Sequence, residues 1–521
     1  MRSNILVSIV LISSVQCYSQ PTVDTLEGNN ARVHIANNGV FFNEFFDSAA
    51  GYEIPKGEDK NLFYSSGFWF GGIDDEGILR LSAQDYIGGS DQFPGAITTT
   101  GTPEVTDPVV GGGGYSVSRE EIETHIASLD LVDYEIPESI LNWPAHGDLD
   151  LDLDFYLAPF VDINGDAIYN PEEGDYPEIR GDYATYVIMN DVAEDHLTAG
   201  LPLGIEMHFM FYQYATDDYL NDATFINLKL INRGSHNYSD FRTGYFLDTD
   251  LGNYADDYVG CNPGTNLGFA YNSTNIDADG VIIPGYGENP PSTGVVLLNH
   301  EMSSFTAFTV GVGPMSDPTL PSEYWNYLNS KWKDGTHFTY GGTGYGGTDE
   351  TDYLYSGNPN SPSSWSEIIE GNTAGDRRIL LVADGVSLEP GQMMCYDYAV
   401  LYNREGDFLE NVQNIIDLSA EVKLFYTEQS HYSCNQSYLN ISEKKEIQEV
   451  KVYPNPSTGN FVINFEGVYD FELFGIDGRK VMSKKDNIGI TKIESDFTSG
   501  TYLLVISQNG ERFHSKVIIE K

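Results

Sequence analysis

Two stretches of this chain gather oxygen ligands at spacings that suit a hard divalent cation. The first runs Asp162-Ile-Asn164-Gly-Asp166-Ala-Ile168-Tyr-Asn170-Pro-Glu172-Glu173. Side-chain oxygens at positions 1, 3 and 5 (Asp162, Asn164, Asp166), a backbone carbonyl at 7 (Ile168) and a carboxylate at 12 (Glu173) reproduce the ligand order of a twelve-residue calcium loop. Position 6, where such a loop turns sharply on glycine, is Ala167, and Pro171 and Gly174 discourage an exit helix. The expectation is a calcium loop set between strands, with a solvated polar turn as the plain alternative. The second stretch supplies Asp248, Asp250, Asn253, Asp256 and Asp257 from a strand end and the turn after it, with no Lys or Arg among them. Carboxylates packed this closely either raise their pKa or hold a cation. Gly252 gives the turn a conformation closed to other residues, so that the two arms converge. Asp277-Ala-Asp279-Gly280 is a weaker patch able to join them.

Upstream of the first loop lies Asp148-Leu-Asp150-Leu-Asp152-Leu-Asp154. As a strand it would place four carboxylates on one face and three leucines on the other. These acids would complete the Asp162 site, bind an ion of their own, or simply guard a solvated edge. Signatures of catalysis are scarce. The chain has no His-Glu-x-x-His, no Gly-x-Ser-x-Gly and no P-loop. Gly341-Gly-Thr-Gly-Tyr-Gly-Gly347 is followed by Asp349, Glu350 and Asp352, which would oppose a phosphate, so it reads as a loop. Paired carboxylates suit glycoside hydrolysis, and so many acids supply pairs by chance. The five tryptophans form no spacing that reads as a sugar platform, and core packing is their default role.

The elements that must position these acids are mostly strands. Strand patterns run at 205–214, 225–232, 241–247, 294–298, 305–312, 379–383 and 395–402. In the first, Ile205, Met207, Phe209 and Phe211 alternate with Glu206 and His208, the period of a half-buried strand. Asn232-Arg-Gly234 then turns toward 238–247, implying antiparallel neighbours in a sandwich. Helical spacing marks 119–129, 322–332 and 410–426. The predicted class is mainly β: a large antiparallel sandwich-like body with few helices and long loops, plus a small C-terminal β module.

Charge divides the chain as well. Of 27 basic and 78 acidic residues, nine of each fall from Val450 onward, so residues 1–449 hold 18 and 69 and carry the whole net charge of −51. An acidic body of this kind excludes nucleic acid and anionic membrane as partners. It fits solubility in salt, divalent cation binding, or both. Residues 441–449 form a short polar linker, leaving a body at 20–440 and a module at 450–521. Arg2 and the apolar run Ile5–Ile12 read as a secretory signal peptide over residues 1–19, and no other stretch approaches a transmembrane span. Beyond Cys17, the mature chain keeps Cys261, Cys395 and Cys434, spaced for no zinc site; Cys395–Cys434 is the favoured pair if one disulfide forms.

Residues 450–521 open with Tyr453-Pro-Asn-Pro456, turn at Ile476-Asp-Gly-Arg479, restart at Gly500-Thr-Tyr502, turn at Asn509-Gly510 and finish with Lys516-Val-Ile. Short β-branched runs between these turns make a small all-β module. It closely resembles the type A C-terminal sorting domain of type IX secretion cargo. The resemblance implies engagement of that machinery through 450–521, passage across an outer membrane, and an extracellular or outer-membrane-surface location. Phrases of the body, Phe68-Trp-Phe-Gly-Gly72, Leu157-Ala-Pro-Phe-Val161, Asp256-Asp-Tyr-Val-Gly-Cys261, Trp332-Lys-Asp-Gly335 and Asp376-Arg-Arg378 among them, resemble an uncharacterised surface-protein family that carries the same domain. The sequence therefore points to a secreted, Ca2+-stabilised, non-catalytic adhesin-like protein, with surface polysaccharide or lipopolysaccharide as the partner class. The alternative is a secreted polysaccharide-degrading enzyme of the glycoside hydrolase type.

Overall fold

The computed structural model describes residues 21–429 and 450–521, apart from 45, 48, 87–89, 104–109, 281–282, 476–478, 496 and 509–510. The signal peptide, Cys17, Cys434, the 441–449 linker and the predicted turns at 476–478 and 509–510 lie outside the described residues. The chain divides into two compact units, Met1–Tyr438 and Leu439–Lys521.

Two nine-stranded sheets, antiparallel throughout, build the first unit. One runs in the order Val23–Leu26, Arg32–Ala36, Tyr52–Glu53, Asn61–Ile73, Tyr238–Thr249, Arg377–Ala383, Met302–Phe308, with Leu79–Ala83 also beside Asn61–Ile73 and Val386–Leu388 beside Tyr238–Thr249. The other runs Asp257–Asn262, Leu267–Asn272, Ser292–Leu297, Met393–Asn403, Thr224–Asn232, Ile205–Gln213, Tyr183–Asn190, Phe93–Pro94, with Gly114–Ser118 also beside Tyr183–Asn190. Their inner faces meet in one aromatic core. Phe68 of the first sheet stacks on Tyr245 beside it at 4.4 Å between centroids and reaches Phe209 and Tyr398 of the second at 5.1 and 5.5 Å. The sandwich expected from the strand patterns is present.

Its connectivity differs from the expected hairpin. The turn at Asn232-Arg-Gly234 carries the chain from one sheet to the other, because Thr224–Asn232 is already paired on both sides, by Ile205–Gln213 and Met393–Asn403. The strand Ile205–Gln213 is buried on both faces rather than one. Glu206 and His208 therefore meet protein instead of water. Glu206 accepts the Ile97 N–H at 2.9 Å and pairs with His208 Nε2 at 2.8 Å and Arg233 at 3.0 Å, while Tyr186 Oη lies 2.8 Å from His208 Nδ1. Strand Asn61–Ile73 escaped the pattern reading for a related reason. It is buried along nearly all its length, so no alternation survives in its sequence.

Outside the second sheet packs the helix Phe408–Glu428, with Val412, Ile415, Leu418 and Val422 buried. A capping box starts it: the Asp407 carboxylate accepts the Leu409 and Glu410 N–H groups, and Glu410 accepts that of Asp407. The helix Arg119–Ser128 is capped the same way by Ser118 and Glu121. The predicted helix at 322–332 is one of seven residues, Pro321–Tyr327, and it lies over the outer face of the first sheet, where Tyr324 meets Trp69. Cys395 is disulfide-bonded, its partner outside the described residues, and Cys261 is a buried free thiol.

The second unit is a five-stranded sheet over its own core, which includes Phe461, Ile463, Phe471, Leu504, Ile506 and Val517. Its longest strand, Asn460–Gly475, pairs Lys451–Tyr453 with its first half and Gly500–Gln508 with its second.

Candidate metal centre

Tyr238–Thr249 is a central strand, and its last turn of sequence delivers acids to a crowded place. Asp248 lies opposite Ser65 on one neighbouring strand and Arg378 on the other. The register slips by one residue between Asp248 and Thr249, where Tyr64 bulges from the neighbouring strand. Beyond the strand end, the Asp250 N–H donates to Leu62 O at 3.1 Å, holding the chain beside that strand. Asp376 arrives from the far side, immediately before Arg377–Ala383. Carboxylate oxygens of Asp248, Asp250 and Asp376 then lie within 4.8 Å of one another, the single such convergence of three acidic, His or Cys ligands among the described residues.

One cation faces them. The Arg378 guanidinium is buried, with Nη1 3.1 Å from Asp376, Nη2 3.3 Å from Asp248 and Nε 3.2 Å from Asp317. Tyr86 donates to Asp248 and receives Arg378 Nη2 at 2.5 Å. Asp248 still leaves Oδ1 buried without a hydrogen bond among the described residues. Asp250 is 6% exposed, and its carboxylate makes no hydrogen bond among the described residues. Burial pushes Asp248 up to about 7, against the pull of Arg378 and with Asp376 adding to the rise. Burial also raises Asp250 well above the usual carboxylate range, and the charges of Asp248 and Asp376 raise it further. A carboxylate so placed is neutral or sits against a positive charge.

The remaining acids of the predicted cluster take other directions. Asp257 is fully buried and accepts the Leu251 N–H at 3.0 Å through Oδ2, leaving Oδ1 without a hydrogen bond among the described residues. Burial raises its pKa, and Asp250, Asp256 and Asp277 add to the effect. Asn253 caps the short turn Tyr254–Asp256, and Asp256 has one oxygen buried without a partner. Asp277 accepts the N–H groups of Asn253 (3.3 Å) and Tyr286 (2.6 Å). Gly252 has φ +64°, and a Cβ there would fall 2.0 Å from an Asp277 oxygen, so the turn admits only glycine. The two arms do converge, but on two linked spots: Asp248 and Asp250 with Asp376, and Asp257 with Asp277 behind them.

The Asp162 loop sits between two short paired strands, Phe160–Val161 and Tyr176–Pro177, and ends in a 3-10 turn, Pro171–Glu173, instead of a helix. The Asp162 carboxylate gathers the loop's own backbone, accepting from Gly165 at 2.6 Å, Asp166 at 3.3 Å and Ala167 at 2.6 Å. Asn164 donates to Glu173 at 2.5 Å, and Asp166 accepts the Ile168 N–H at 2.9 Å. Ala167 takes φ +68°, the left-handed conformation in which a calcium loop places glycine. Asp175, fully buried, bridges the loop by accepting from Ile163 and Asn170, both at 2.8 Å. The Asp148–Asp154 run is not a strand: Leu149–Leu151 is a 3-10 turn capped by Asp148, and Asp152 is left-handed. Local Asx capping outcompetes extension there. Asp154 leaves the run to pair with Arg233 at 2.8 Å.

Sequence reasoning missed Asp376, Arg378, Tyr86 and Asp317. The available signal was Asp376-Arg-Arg378 itself, adjacent arginines at a strand start in a body with 18 basic residues.

In the second unit, the Tyr-Pro-Asn-Pro opening is tied to the final strand. Asn455 accepts the Ile518 N–H at 2.7 Å and donates to Lys516 O at 2.7 Å, and Ser457 exchanges backbone bonds with Ile518 and Glu520. Residues 451–520 match the model of the secretion system C-terminal sorting domain. The chain carries a type IX secretion sorting domain. That domain directs export to the cell surface or the extracellular space. No curated protein matches the chain. Among solved structures, a polysaccharide lyase aligns at 10% identity over 70% of this chain and 37% of its own, with a TM-score of 0.18. A putative aldose 1-epimerase from Escherichia coli K12 aligns at 10% identity over 74% of this chain and all of its own, with a TM-score of 0.25. The chain thus spans little more than a third of the lyase's length. Among the described residues, no helix is long and apolar enough to cross a membrane.

Proposed function

We propose that the body is a calcium-stabilised, non-catalytic binding module, displayed outside the cell by its sorting domain, with surface polysaccharide as the partner class. One observation carries the reading: three carboxylates converge within 4.8 Å, and one of them, Asp250, is nine-tenths buried with no hydrogen bond among the described residues. Oxygen-only ligands, with one arginine against three carboxylates, suit a hard cation such as Ca2+. The residues that would hold it are Asp248, Asp250 and Asp376, with Asp257 lending field from behind. The Asp162 loop, with Asn164, Asp166, Ile168 and Glu173, is the second proposed site.

A second reading uses the same acids differently. Asp248, raised to about 7, would hold a proton beside Asp250, as the general acid of a glycosidase does beside its second carboxylate. Asp248 is 2% exposed, which closes it to a sugar ring and favours the first reading.

Thermal melting of the secreted body separates the two, because Asp250→Asn changes sign between conditions. In chelator, removing a buried uncompensated charge raises the melting temperature. In calcium, the wild type gains about 2.7 kcal/mol at 100-fold excess over Kd, and the variant loses most of that gain. A wild type that melts alike in calcium and chelator sinks the proposal.

A further inference from the structure

Between helix Pro321–Tyr327 and strand Arg377–Ala383, the glycine-rich run 341–347 forms a tightly held loop. Gly341, Gly342, Gly344 and Gly346 take φ between +56° and +95°, the left-handed region that favours glycine. Three successive carbonyls accept hydrogen bonds from buried aromatic donors: Gly342 O from Trp365 Nε1 at 3.2 Å, Thr343 O from Tyr355 Oη at 3.4 Å, and Gly344 O from Trp332 Nε1 at 2.8 Å. These carbonyls face the protein, while Tyr340 and Tyr345 remain 52% and 41% exposed. Each ring rests on one of the same indoles. Tyr340 lies 4.7 Å from Trp365 at 52°, and Tyr345 lies 6.3 Å from Trp332 at 73°. Tyr345 Oη also donates to Asp334 at 2.8 Å.

One exposed ring is ordinary on a protein surface. Here two stand within six residues, and buried partners position both. Tyrosine offers rigid, amphipathic contact area at little entropic cost. Such a ring meets the C–H face of a pyranose, and polar groups beside it meet the sugar's hydroxyls. The exposed side chains that follow on the loop are of that kind: Thr343, Thr348, Asp349 and Glu350. Between the two tyrosines stand only three glycines and Thr343, so no apolar floor joins the rings as the core of a protein interface would require. The local charge is negative. Asp334, Asp349 and Glu350 are exposed, and Lys333 is engaged by Asp317 O at 2.6 Å and Glu323 at 3.5 Å. Like charge repels an anionic glycan and leaves a neutral one.

We propose that Tyr340 and Tyr345 form a stacking platform for an extended, neutral polysaccharide chain. The proposal rests on surface polysaccharide as the partner class and places its contact on residues that the metal centre does not use.

Calorimetric titration of the full secreted chain with cellohexaose, xylohexaose and chitohexaose, and with hexagalacturonate as the anionic comparison, tests the proposal. At least one neutral hexasaccharide is expected to bind and to change tryptophan fluorescence, because Trp332 and Trp365 underlie the rings. Tyr340→Ala and Tyr345→Ala should each weaken that binding about tenfold with the melting temperature unchanged, while Tyr340→Phe, which keeps the ring, should stay within about twofold of the wild type. A sugar held as tightly by the folded double alanine variant as by the wild type overturns the platform and leaves polysaccharide standing as the partner class. Binding of none of the neutral sugars overturns both. Hexagalacturonate bound as tightly as the neutral sugars overturns the assigned class. Hexaproline bound in place of the sugars, and lost in the alanine variants, assigns the platform to a protein partner and overturns the proposal.

Discussion

The buried pair Glu206–His208 makes the body acid-sensitive in a calculable way. Burial, aided by the nearby positive charge of Lys229 and opposed by the pull of Glu206, lowers His208 from 6.5 to about 4. Glu206 opposes its own burial through Arg233 and His208 and falls to about 2. His208 is thus neutral in the folded protein, accepting from Tyr186 and donating to Glu206. A basic group depressed in the folded state contributes stability that is complete above pH 6.5 and lost as pH falls toward 4. Glu206 acts in the same direction at lower pH, between its ordinary 4.5 and about 2. At 1.36 kcal/mol per pH unit, the His208 window is worth about 3 kcal/mol. Unfolding entropy of about 2.1 cal/mol/K per residue over roughly 400 residues converts this to ~4 °C. The comparison is His208→Gln, which keeps hydrogen bonding and cannot titrate. Melting temperatures of the two proteins, followed by circular dichroism from pH 7 to 4 in chelator, should show the wild type falling by those additional degrees. Parallel profiles would show that His208 does not titrate in this window and would refute the reasoning.

Other expectations follow from the acid cluster and the two units. Arg378→Met leaves Asp248, Asp317 and Asp376 facing one another without their cation and should cost about 3–5 kcal/mol in urea denaturation, part of it restored by calcium. Asp162→Ala strips the Gly165 and Ala167 N–H groups of their acceptor and should make the 162–175 loop a site of early proteolytic cleavage, with any calcium it holds lost. Deleting 450–521 should leave a folded body inside the cell envelope; protease accessibility on intact cells reads this, and normal surface exposure of the truncated chain would contradict it.

Much of this architecture is legible in the sequence as runs of β-branched and aromatic residues. The strands near 225–232, 241–247 and 395–402 appear where those runs place them, the last two extended at both ends. What covers each face is less legible. Asn61–Ile73 shows no period, and the polar face of Ile205–Gln213 hides a buried ion-pair network in residues that read as solvent-facing. The run from Asp148 to Asp154 misleads for another reason: alternation suits a strand, but aspartates that cap their own backbone favour a turn. At the metal centre, the Asp248 and Asp250 arm is visible because it is local. Asp376 and Arg378 are more than 120 residues away, and only strand pairing brings them there. Local spacing marked which acids would gather and could not mark which would face each other.

Calcium bound per chain, measured by elemental analysis of the secreted body after equilibration in calcium and gel filtration, is the most direct test of the account. The wild type should retain calcium, and Asp250→Asn, folded by the same filtration profile, should retain one equivalent less. Equal calcium in the two proteins, or none in the wild type, would contradict a metal centre at Asp248, Asp250 and Asp376.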